Sequence, residues 1–142
     1  MIEVSAPAKI NLFLHVLGRR EDGYHELVTR MQKIDLCDKL IIRTTDKPGV
    51  ELHCSEKDLQ SNDKNLAVIA AQRFLETAGL LSLHGLHIHL EKNIPISAGL
   101  GGGSSDAGTV LKGLNTLFDY PLSSKQLADI ASNWSRCALF CS

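Results

Sequence analysis

Apolar residues in the first part of the chain come in short runs that are rich in β-branched and aromatic side chains, a composition typical of β-strands. Short polar segments separate these runs, and one of them, Asp46–Gly49, has the turn-forming sequence Asp-Lys-Pro-Gly. Because the connections are short, neighbouring strands are expected to pair in antiparallel fashion. The predicted strands lie at 10–18, 25–36, 38–46 and 50–55.

The pattern changes after residue 60, where apolar residues begin to recur at spacings of three and four and so predict an α-helix. Ser61, Asn62 and Asp63 are candidates for the N-cap of this helix, and Gly79 stands where a helix commonly ends. The apolar positions of the predicted helix are Leu66, Ile69, Ala70, Phe74 and Ala78.

Residues 85–92 alternate strictly between apolar and polar, which predicts a strand with one buried face. His87 and His89 share the polar face with no third ligand nearby, so we expect surface side chains there and no metal site formed by a protein motif. A glycine-rich segment follows, and then two further helical patterns at about 110–118 and 123–132. This order predicts an α+β fold with a mostly antiparallel sheet.

Composition narrows the class of protein. A chain of 142 residues with 44% hydrophobic and 22% charged residues is expected to form one soluble domain. A formal net charge of −1 indicates neither a nucleic-acid partner nor attraction to a membrane surface. No apolar stretch approaches the ~18 residues of a membrane span, and the N-terminus lacks the basic segment of a secretory signal. We therefore expect a cytoplasmic protein with reduced cysteines, of unknown oligomeric state.

The segment 95–105, with the sequence PISAGLGGGSS, is the strongest candidate for chemistry. It lies between a predicted strand and a predicted helix that begins near Ser104. Glycines let the backbone approach a ligand closely, and a helix N-terminus offers unpaired N–H groups and partial positive charge. The arrangement suits the phosphates of a nucleotide, and the hydroxyls of Ser104 and Ser105 can cap the helix, bind phosphate or reach Mg²⁺.

Two better-known phosphate loops do not fit this segment. The Walker A loop needs a lysine directly after its glycines, and the first lysine here is Lys112, well inside the predicted helix. The dinucleotide fingerprint needs a third glycine where Ser104 stands. A flexible glycine-rich turn that binds no ligand remains an alternative.

Three motifs together resemble one family. The sequence PISAGLGGGSSDA at 95–107 is similar to the phosphate-binding loop of the GHMP kinases, in the extended form of the diphosphocytidyl-methylerythritol kinases. The opening APAKINLFLHVLGRREDGYHEL at 6–27 resembles the N-terminal signature of the same kinases, and NLAVIAA at 65–71 resembles their nucleotide-pocket helix. The resemblance runs from about residue 2 to 132 with the motifs in the family's order.

The resemblance implies an N-terminal GHMP kinase domain over 1–132, with the fold named after the second domain of ribosomal protein S5. It also implies ATP and Mg²⁺ as cofactors. The implied reaction phosphorylates the 2-hydroxyl of the methylerythritol part of a small cytidine-diphosphate substrate, in the non-mevalonate route to isoprenoid precursors. The implied partners include neither nucleic acid nor membrane.

Individual residues match functional positions of the family. Lys9 matches a catalytic lysine beside the reacting hydroxyl, where its charge would stabilise the transferred phosphoryl group. Asn11 and His25 match positions that bind cytosine, and Tyr24 matches a ring that stacks on it. Asn65 matches a position near adenine, although it can equally be a helix cap. The matched ATP-binding loop comprises Pro95, Ile96, Ser97, Ala98, Gly99, Leu100, Gly101, Gly102, Gly103, Ser104 and Ser105, with a possible Mg²⁺ contact from Ser104 or Ser105.

The end of the chain departs from the family. Family members are longer and have a C-terminal domain, and after the third helix they read like Leu-Gly-Ala-Asp-Val-Pro-Phe-Phe, whose aspartate is the proposed general base. Residues 133–142 read NWSRCALFCS, with no acidic residue after Asp129. One permitted set of codons for this segment, shifted by one base, encodes Ile-Gly-Arg-Asp-Val-Pro-Phe-Phe. We therefore hypothesise an aberrant, out-of-frame tail. An inactive chain is expected, with a non-catalytic ATP-binding remnant or gene fragment as the alternative function.

Overall fold

The computed structural model describes residues 1–59 and 64–134. Two parts of the chain lie outside these described residues: the candidate caps Ser61, Asn62 and Asp63, and residues 135–142 of the hypothesised aberrant tail. The strands are β1 (Ile2–Arg19), β2 (His25–Thr45), β3 (Gly49–Cys54) and β4 (Gly85–Glu91), and the α-helices are α1 (Leu66–Thr77), α2 (Gly102–Leu117) and α3 (Ser124–Ala131), with a short 3-10 turn at Lys57–Leu59.

The four strands form one mixed sheet in the order β1-β2-β4-β3. The β1–β2 pair is antiparallel, as its short connection predicted, and β2 and β4 are antiparallel as well. The expected antiparallel pairing of β2 with β3 across the turn at Asp46–Gly49 is wrong, because β4 lies between these strands and pairs with β3 in parallel. The parallel pair follows from the connection, because β3 reaches β4 through α1, and a crossover helix returns the chain in the same direction. The α+β prediction is confirmed.

Strand β2 is longer than predicted, since it runs without interruption through the break expected between 25–36 and 38–46. At the predicted break, the side chain of Asp38 is buried and bonded to Lys92. Pairing with Lys92 offsets the cost of burying this carboxylate, so β2 continues through the core where the sequence predicted a break between two strands.

The second half of β1 and the first half of β2 extend as a two-stranded arm, in which residues 10–19 pair with 25–32. Register shifts at three points along β1 mark irregularities in this pairing. The arm exposes many large apolar side chains: Ile10, Leu12, Phe13, Leu14, Val16, Leu17, Leu27 and Val28.

The core lies between one face of the sheet and the helices. The alternation seen in the sequence places Leu86, Ile88 and Leu90 of β4 on the buried face, which confirms the strand prediction for 85–92. Phe74 of α1 and Leu111 of α2 belong to the same buried cluster. None of the helices in the described ranges has the length and apolar character that a membrane crossing requires.

The helix ends follow local chemistry. The N-cap of α1 is Asn65, so the prediction of a cap among residues 61–63 is wrong. The Asn65 side chain accepts a hydrogen bond of 2.9 Å from the Ala67 amide, and Gly79, with a φ of 71°, follows the helix end. Helix α3 has a capping box in which Ser123 and Gln126 exchange bonds. Helix α2 begins at Gly102, slightly earlier than the predicted start near Ser104.

Asn115, buried near the end of α2, joins that helix to the chain before α3. Its side chain donates to the Leu122 carbonyl at 3.0 Å and accepts from the Leu122 amide at 3.1 Å. We predict that Asn115→Ala lowers the free energy of unfolding by about 2 kcal/mol, because it leaves both backbone groups without partners. Urea denaturation measures the change, and Thr116→Ala, at an exposed neighbouring position, is the control. Equal midpoints for Asn115→Ala and native protein would contradict the prediction.

Candidate nucleotide site

The glycine-rich segment forms a loop between β4 and α2. Gly99 and Gly101 have φ values of 74° and 71°, in the region that favours glycine, and Gly101 is the N-cap of α2. The Gly101 carbonyl accepts the amide of Ser105 at 2.9 Å, which is the first bond of the helix. The N–H groups of the first helical turn have no partners within the helix, so they are available to an anion.

Lys9, in β1, contacts the loop in two ways. Its backbone amide donates to the Leu100 carbonyl at 2.9 Å, and its ammonium donates to the Gly99 carbonyl at 2.8 Å. In a trans peptide the carbonyl and the following N–H point in opposite directions, and the described chain has no cis peptide. The N–H groups of Leu100 and Gly101 therefore point away from Lys9.

Lys9 is also connected to the base of the arm. Its ammonium donates to Asn11 Oδ1 at 2.8 Å, and Asn11 Nδ2 donates to Thr29 Oγ1 at 2.8 Å. The Thr29 hydroxyl in turn donates to the Phe13 carbonyl at 2.7 Å. Two residues singled out from the sequence, Lys9 and Asn11, thus lie together beside a loop ninety positions further along the chain.

A cavity of about 390 Å³ opens beside the loop, within the usual size range of small-molecule sites. Its lining includes the loop residues 95–104, together with Asn65 and Leu66 at the start of α1. Asn65 therefore caps a helix and also faces the cavity, so the two roles left open by the sequence are compatible. Lys92 and Asp106 line the cavity as well.

Asp38, Lys92 and Asp106 form a buried ion cluster beneath this cavity. The Lys92 ammonium donates to Asp38 Oδ2 and, at 2.8 Å, to Asp106 Oδ2. The three side chains are 0%, 5% and 4% exposed in chain order. Among the described residues Asp106 Oδ1 has no hydrogen-bond partner although it is buried.

Burial raises the pKa of Asp106 to about 7, despite the opposing hydrogen bond from Lys92. Burial alone would lower the pKa of Lys92, but the hydrogen bonds to Asp106 and Asp38 outweigh it and the pKa is raised. The ammonium therefore stays charged, while Asp106 changes its protonation state near neutral pH.

This ion cluster was not predicted from the sequence, although each member occupies a position that the hydrophobic pattern assigns to the core. Asp38 is in phase with buried Leu40 on β2, and Lys92 is in phase with buried Leu90 on β4. Asp106 stands one helical turn before buried Val110. A charge at a position that the hydrophobic period assigns to the core requires a buried partner, and three such positions could have been matched with one another.

Tyr24 and His25 lie at the other end of the arm. His25 pairs with Arg19, whereas Asn11 pairs with Met31. Eight residues separate Arg19 from Asn11, or roughly 26 Å of strand at ~3.3 Å per residue. The structure thus groups Lys9, Asn11, Asn65 and the loop, and places Tyr24 and His25 at the arm's tip.

Comparison with known proteins identifies the family of the chain. The sequence profile of the GHMP kinases N terminal domain matches residues 65–140, more than half of the 142-residue chain. The chain therefore belongs to the GHMP kinase family. A homoserine kinase from Cytophaga hutchinsonii shares the fold, with a TM-score of 0.71 at 24% identity over 99% of this chain and 41% of that one.

More similar proteins have a more specific name. The chain is 52% identical over 130 residues to the 4-diphosphocytidyl-2-C-methyl-D-erythritol kinase of Desulfotalea psychrophila, covering 92% of this chain and 44% of that protein. A crystal structure of 4-(cytidine 5'-diphospho)-2C-methyl-D-erythritol kinase superposes with a TM-score of 0.81 at 40% identity, covering 99% of this chain and 48% of that one. The chain thus spans less than half the length of these relatives.

The raised pKa of Asp106 predicts a pH dependence of stability. Its pKa rises from an ordinary value of 3.8 to about 7 on folding, so the folded state holds a proton that the unfolded state has lost between those values. The free energy of unfolding of native protein should therefore fall by a few kcal/mol, relative to Asp106→Asn, as pH rises from about 4 to about 7. Urea denaturation across this range measures it.

Asp129→Asn, which changes an exposed carboxylate on α3, is the control and should keep the pH dependence of native protein. Parallel stability curves for native protein and Asp106→Asn would show that the Asp106 carboxylate has an ordinary pKa, contrary to this prediction.

Proposed function

We propose that this chain supplies the ATP-binding part of a kinase for 4-diphosphocytidyl-2-C-methyl-D-erythritol, the substrate in its relatives' name. The proposed reaction transfers phosphate from ATP to the 2-hydroxyl of the methylerythritol part, in the non-mevalonate route to isoprenoid precursors. The observation that carries the proposal is the glycine loop at the N-terminus of α2, open to a cavity and bonded to Lys9.

The loop and helix suit the phosphates of ATP. Glycine at positions 99 and 101 permits the left-handed backbone that turns successive amides in a common direction, and α2 adds its N-terminal partial charge. Residues 95–105 would hold the phosphates. Asn65 and Leu66, which line the same cavity from α1, would lie near the adenine.

The cavity residues also fit Mg²⁺ bound with ATP. Mg²⁺ prefers oxygen ligands and is commonly held by one or two protein groups together with substrate phosphates. Ser104 lines the cavity, and buried Asp106 has an oxygen without a partner among the described residues. Ser105 is less suited, since its hydroxyl is buried and donates to the Pro7 carbonyl at 2.6 Å. Bound Mg²⁺ would offset charge on the phosphates.

Lys9 would stabilise charge during transfer. An ammonium has three N–H donors, and two of them bond to Gly99 and Asn11. The third could reach an oxygen of the phosphoryl group bound at the loop, where negative charge moves during the reaction. Tyr24 and His25, at the tip of the arm, would bind the cytosine part of the acceptor. Asn11 lies roughly 26 Å of strand away at ~3.3 Å per residue, so it would contact the part of the acceptor beside Lys9 instead of the cytosine. We propose the cytoplasm as the location.

A non-catalytic ATP-binding remnant is the second candidate. The sequence has no Asp or Glu after Asp129, where the family resemblance leads us to expect a general base. Residues 133–142 would then be an aberrant tail, and ATP binding would remain because the loop and Asn65 precede that segment. Sequencing of the gene through this region tests the frameshift hypothesis, which an unshifted reading without Asp-Val-Pro-Phe nearby would remove.

Gly101→Val is predicted to weaken ATP binding by about tenfold or more. A β-branched residue is strained at the φ of 71° that Gly101 adopts, so the backbone that presents the loop amides must shift. Isothermal titration with ATP measures the change in affinity.

Gly79→Val is the matched control for this substitution. Gly79 has the same φ of 71° but lies at the C-terminal end of α1, away from the loop. Both variants should lose comparable stability, and only Gly101→Val should lose ATP affinity. Equal ATP affinity in the two folded variants would count against a phosphate site at the loop.

A polypeptide of residues 1–142 alone should bind ATP weakly at best and show no appreciable kinase activity. General-base assistance is worth about 10²–10⁴-fold, and the acceptor would lack the contacts that orient it in a protein of twice the length. Release of ADP in the presence of Mg²⁺ and the cytidine-diphosphate substrate is the measurement. Turnover near that of a full-length relative would refute the expectation of inactivity and support the kinase against the remnant.

A further inference from the structure

The buried ion cluster of Asp38, Lys92 and Asp106 contacts the chain on both sides of the glycine loop. Lys92 directly follows β4 and leads into the loop, whereas Asp106 lies near the start of α2, just after the loop. Because the Lys92 ammonium bonds to both carboxylates, the entry and exit of the loop are joined through a single side chain.

Asp38 makes further contacts with the entry to the loop. Its Oδ1 accepts the backbone amides of Asn93 at 2.6 Å and Ile94 at 2.8 Å, while its Oδ2 accepts from Lys92. One carboxylate therefore receives three bonds from three consecutive residues. A side-chain amide also contributes, because Asn93 Nδ2 donates to the Cys37 carbonyl at 3.0 Å.

These bonds continue the sheet beyond its last backbone pair. The β2–β4 ladder ends where Lys39 pairs with Glu91, one residue before Asp38 and Lys92 come opposite each other. Asn93 and Ile94 have thus left the ladder, and the Asp38 carboxylate supplies the acceptors that a strand would otherwise provide. Asp38 is fully buried, is paired with Ala6 of β1 and directly precedes the first residue of β2 that pairs with β4, so it is a rigid anchor.

We infer that Asp38 is a positioning residue for the phosphate-binding loop, an inference that rests on the function proposed above. It holds the entry directly and the exit through Lys92 and Asp106, so that the amides between them keep the spacing needed to converge on phosphate. Asp38 is not among the residues that line the cavity, so it acts without touching the ligand.

Because Asp38 is negatively charged, the direction in which its substitution changes phosphate affinity tests this inference. A carboxylate beneath an anion site repels the anion, so removal of its charge would strengthen phosphate binding if charge were its whole effect. An asparagine there keeps only one acceptor oxygen, and its NH₂ group cannot accept, so it loses either the bond from Lys92 or the bonds from the two amides. Loss of the anchor weakens binding, so the two effects have opposite signs.

The experiment compares Asp38→Asn with Asn115→Ala in the 142-residue chain, using ATP titration. Asn115 also makes buried bonds at α2, but at the end away from the loop, so it controls for general loss of stability. Asp38→Asn should bind ATP about tenfold more weakly than native protein, while Asn115→Ala stays within about twofold. Equal or tighter binding by Asp38→Asn overturns the inference.

Hydrogen exchange without nucleotide separates this inference from the proposed function. Asp38→Asn should speed amide exchange over 96–103 by about tenfold or more, and Asn115→Ala should not. If native protein binds no ATP, the proposed function fails, while unchanged exchange over 96–103 in Asp38→Asn overturns the positioning role.

Asn93→Ala is a milder variant for the case in which Asp38→Asn does not fold. It removes only the exposed hydrogen bond from Asn93 Nδ2 to the Cys37 carbonyl and leaves the bonds to the Asp38 carboxylate in place. A smaller rise in the amide exchange rate over 96–103 is therefore expected. Native exchange rates there in the folded Asn93→Ala protein would overturn the anchoring of the loop through its entry.

Discussion

A buried ammonium shared by two buried carboxylates is the interaction on which the site depends. Removing charged groups from water costs several kcal/mol per ion, and only good geometry with further hydrogen bonds offsets that cost. Asp38 meets this condition, since it accepts from Lys92 and from two backbone amides. Asp106 meets it less fully, because Oδ1 has no partner among the described residues, and burial raises the pKa of this carboxyl to about 7. The cluster joins β2, β4 and α2 where the glycine loop spans from sheet to helix.

Lys9 holds the same loop from the β1 side. Its two donors fix the carbonyls of Gly99 and Leu100, and the planar trans peptide then fixes the direction of the N–H groups that follow. Glycine at 99 and 101 allows the positive φ of this loop, and Lys9 and Lys92 hold the loop in place. A loop that would be mobile by composition is therefore restrained at its entry, middle and exit, which favours phosphate binding because little ordering remains to be done.

The arm has a different character from the core. It consists of two strands without a third, and it exposes apolar side chains such as Leu12, Phe13 and Leu17 at 43–62%. Isolated two-stranded pairs are marginally stable in water, and contiguous exposed apolar surface usually marks an interaction site or a tendency to aggregate. The relatives are about twice as long as this chain, and the arm carries Tyr24 and His25, which we propose to contact the acceptor.

The sequence by itself determined the elements with clear periodicity and the chemistry of the loop. Strict alternation located β4, spacings of three and four located α1, and the order of three motifs indicated the GHMP kinase family. These features are local, so neighbouring residues suffice to define them. The end of α1 just before Gly79 also followed from the sequence, because glycine readily adopts the positive φ that is found there.

Only the tertiary structure decided which distant residues meet. Residues far apart in sequence meet in the parallel pairing of β3 with β4 and in the contact of Lys9 with Gly99. The unbroken passage of β2 through Asp38 likewise depends on a distant residue, because Lys92 bonds to the buried carboxylate. The same is true of the buried ion cluster, whose members are separated by up to 68 positions, from Asp38 to Asp106. A charged residue at a position that the hydrophobic pattern assigns to the core indicates that a buried partner is required. Which partner it finds depends on how sheet and helix pack, because that packing sets the distance between them.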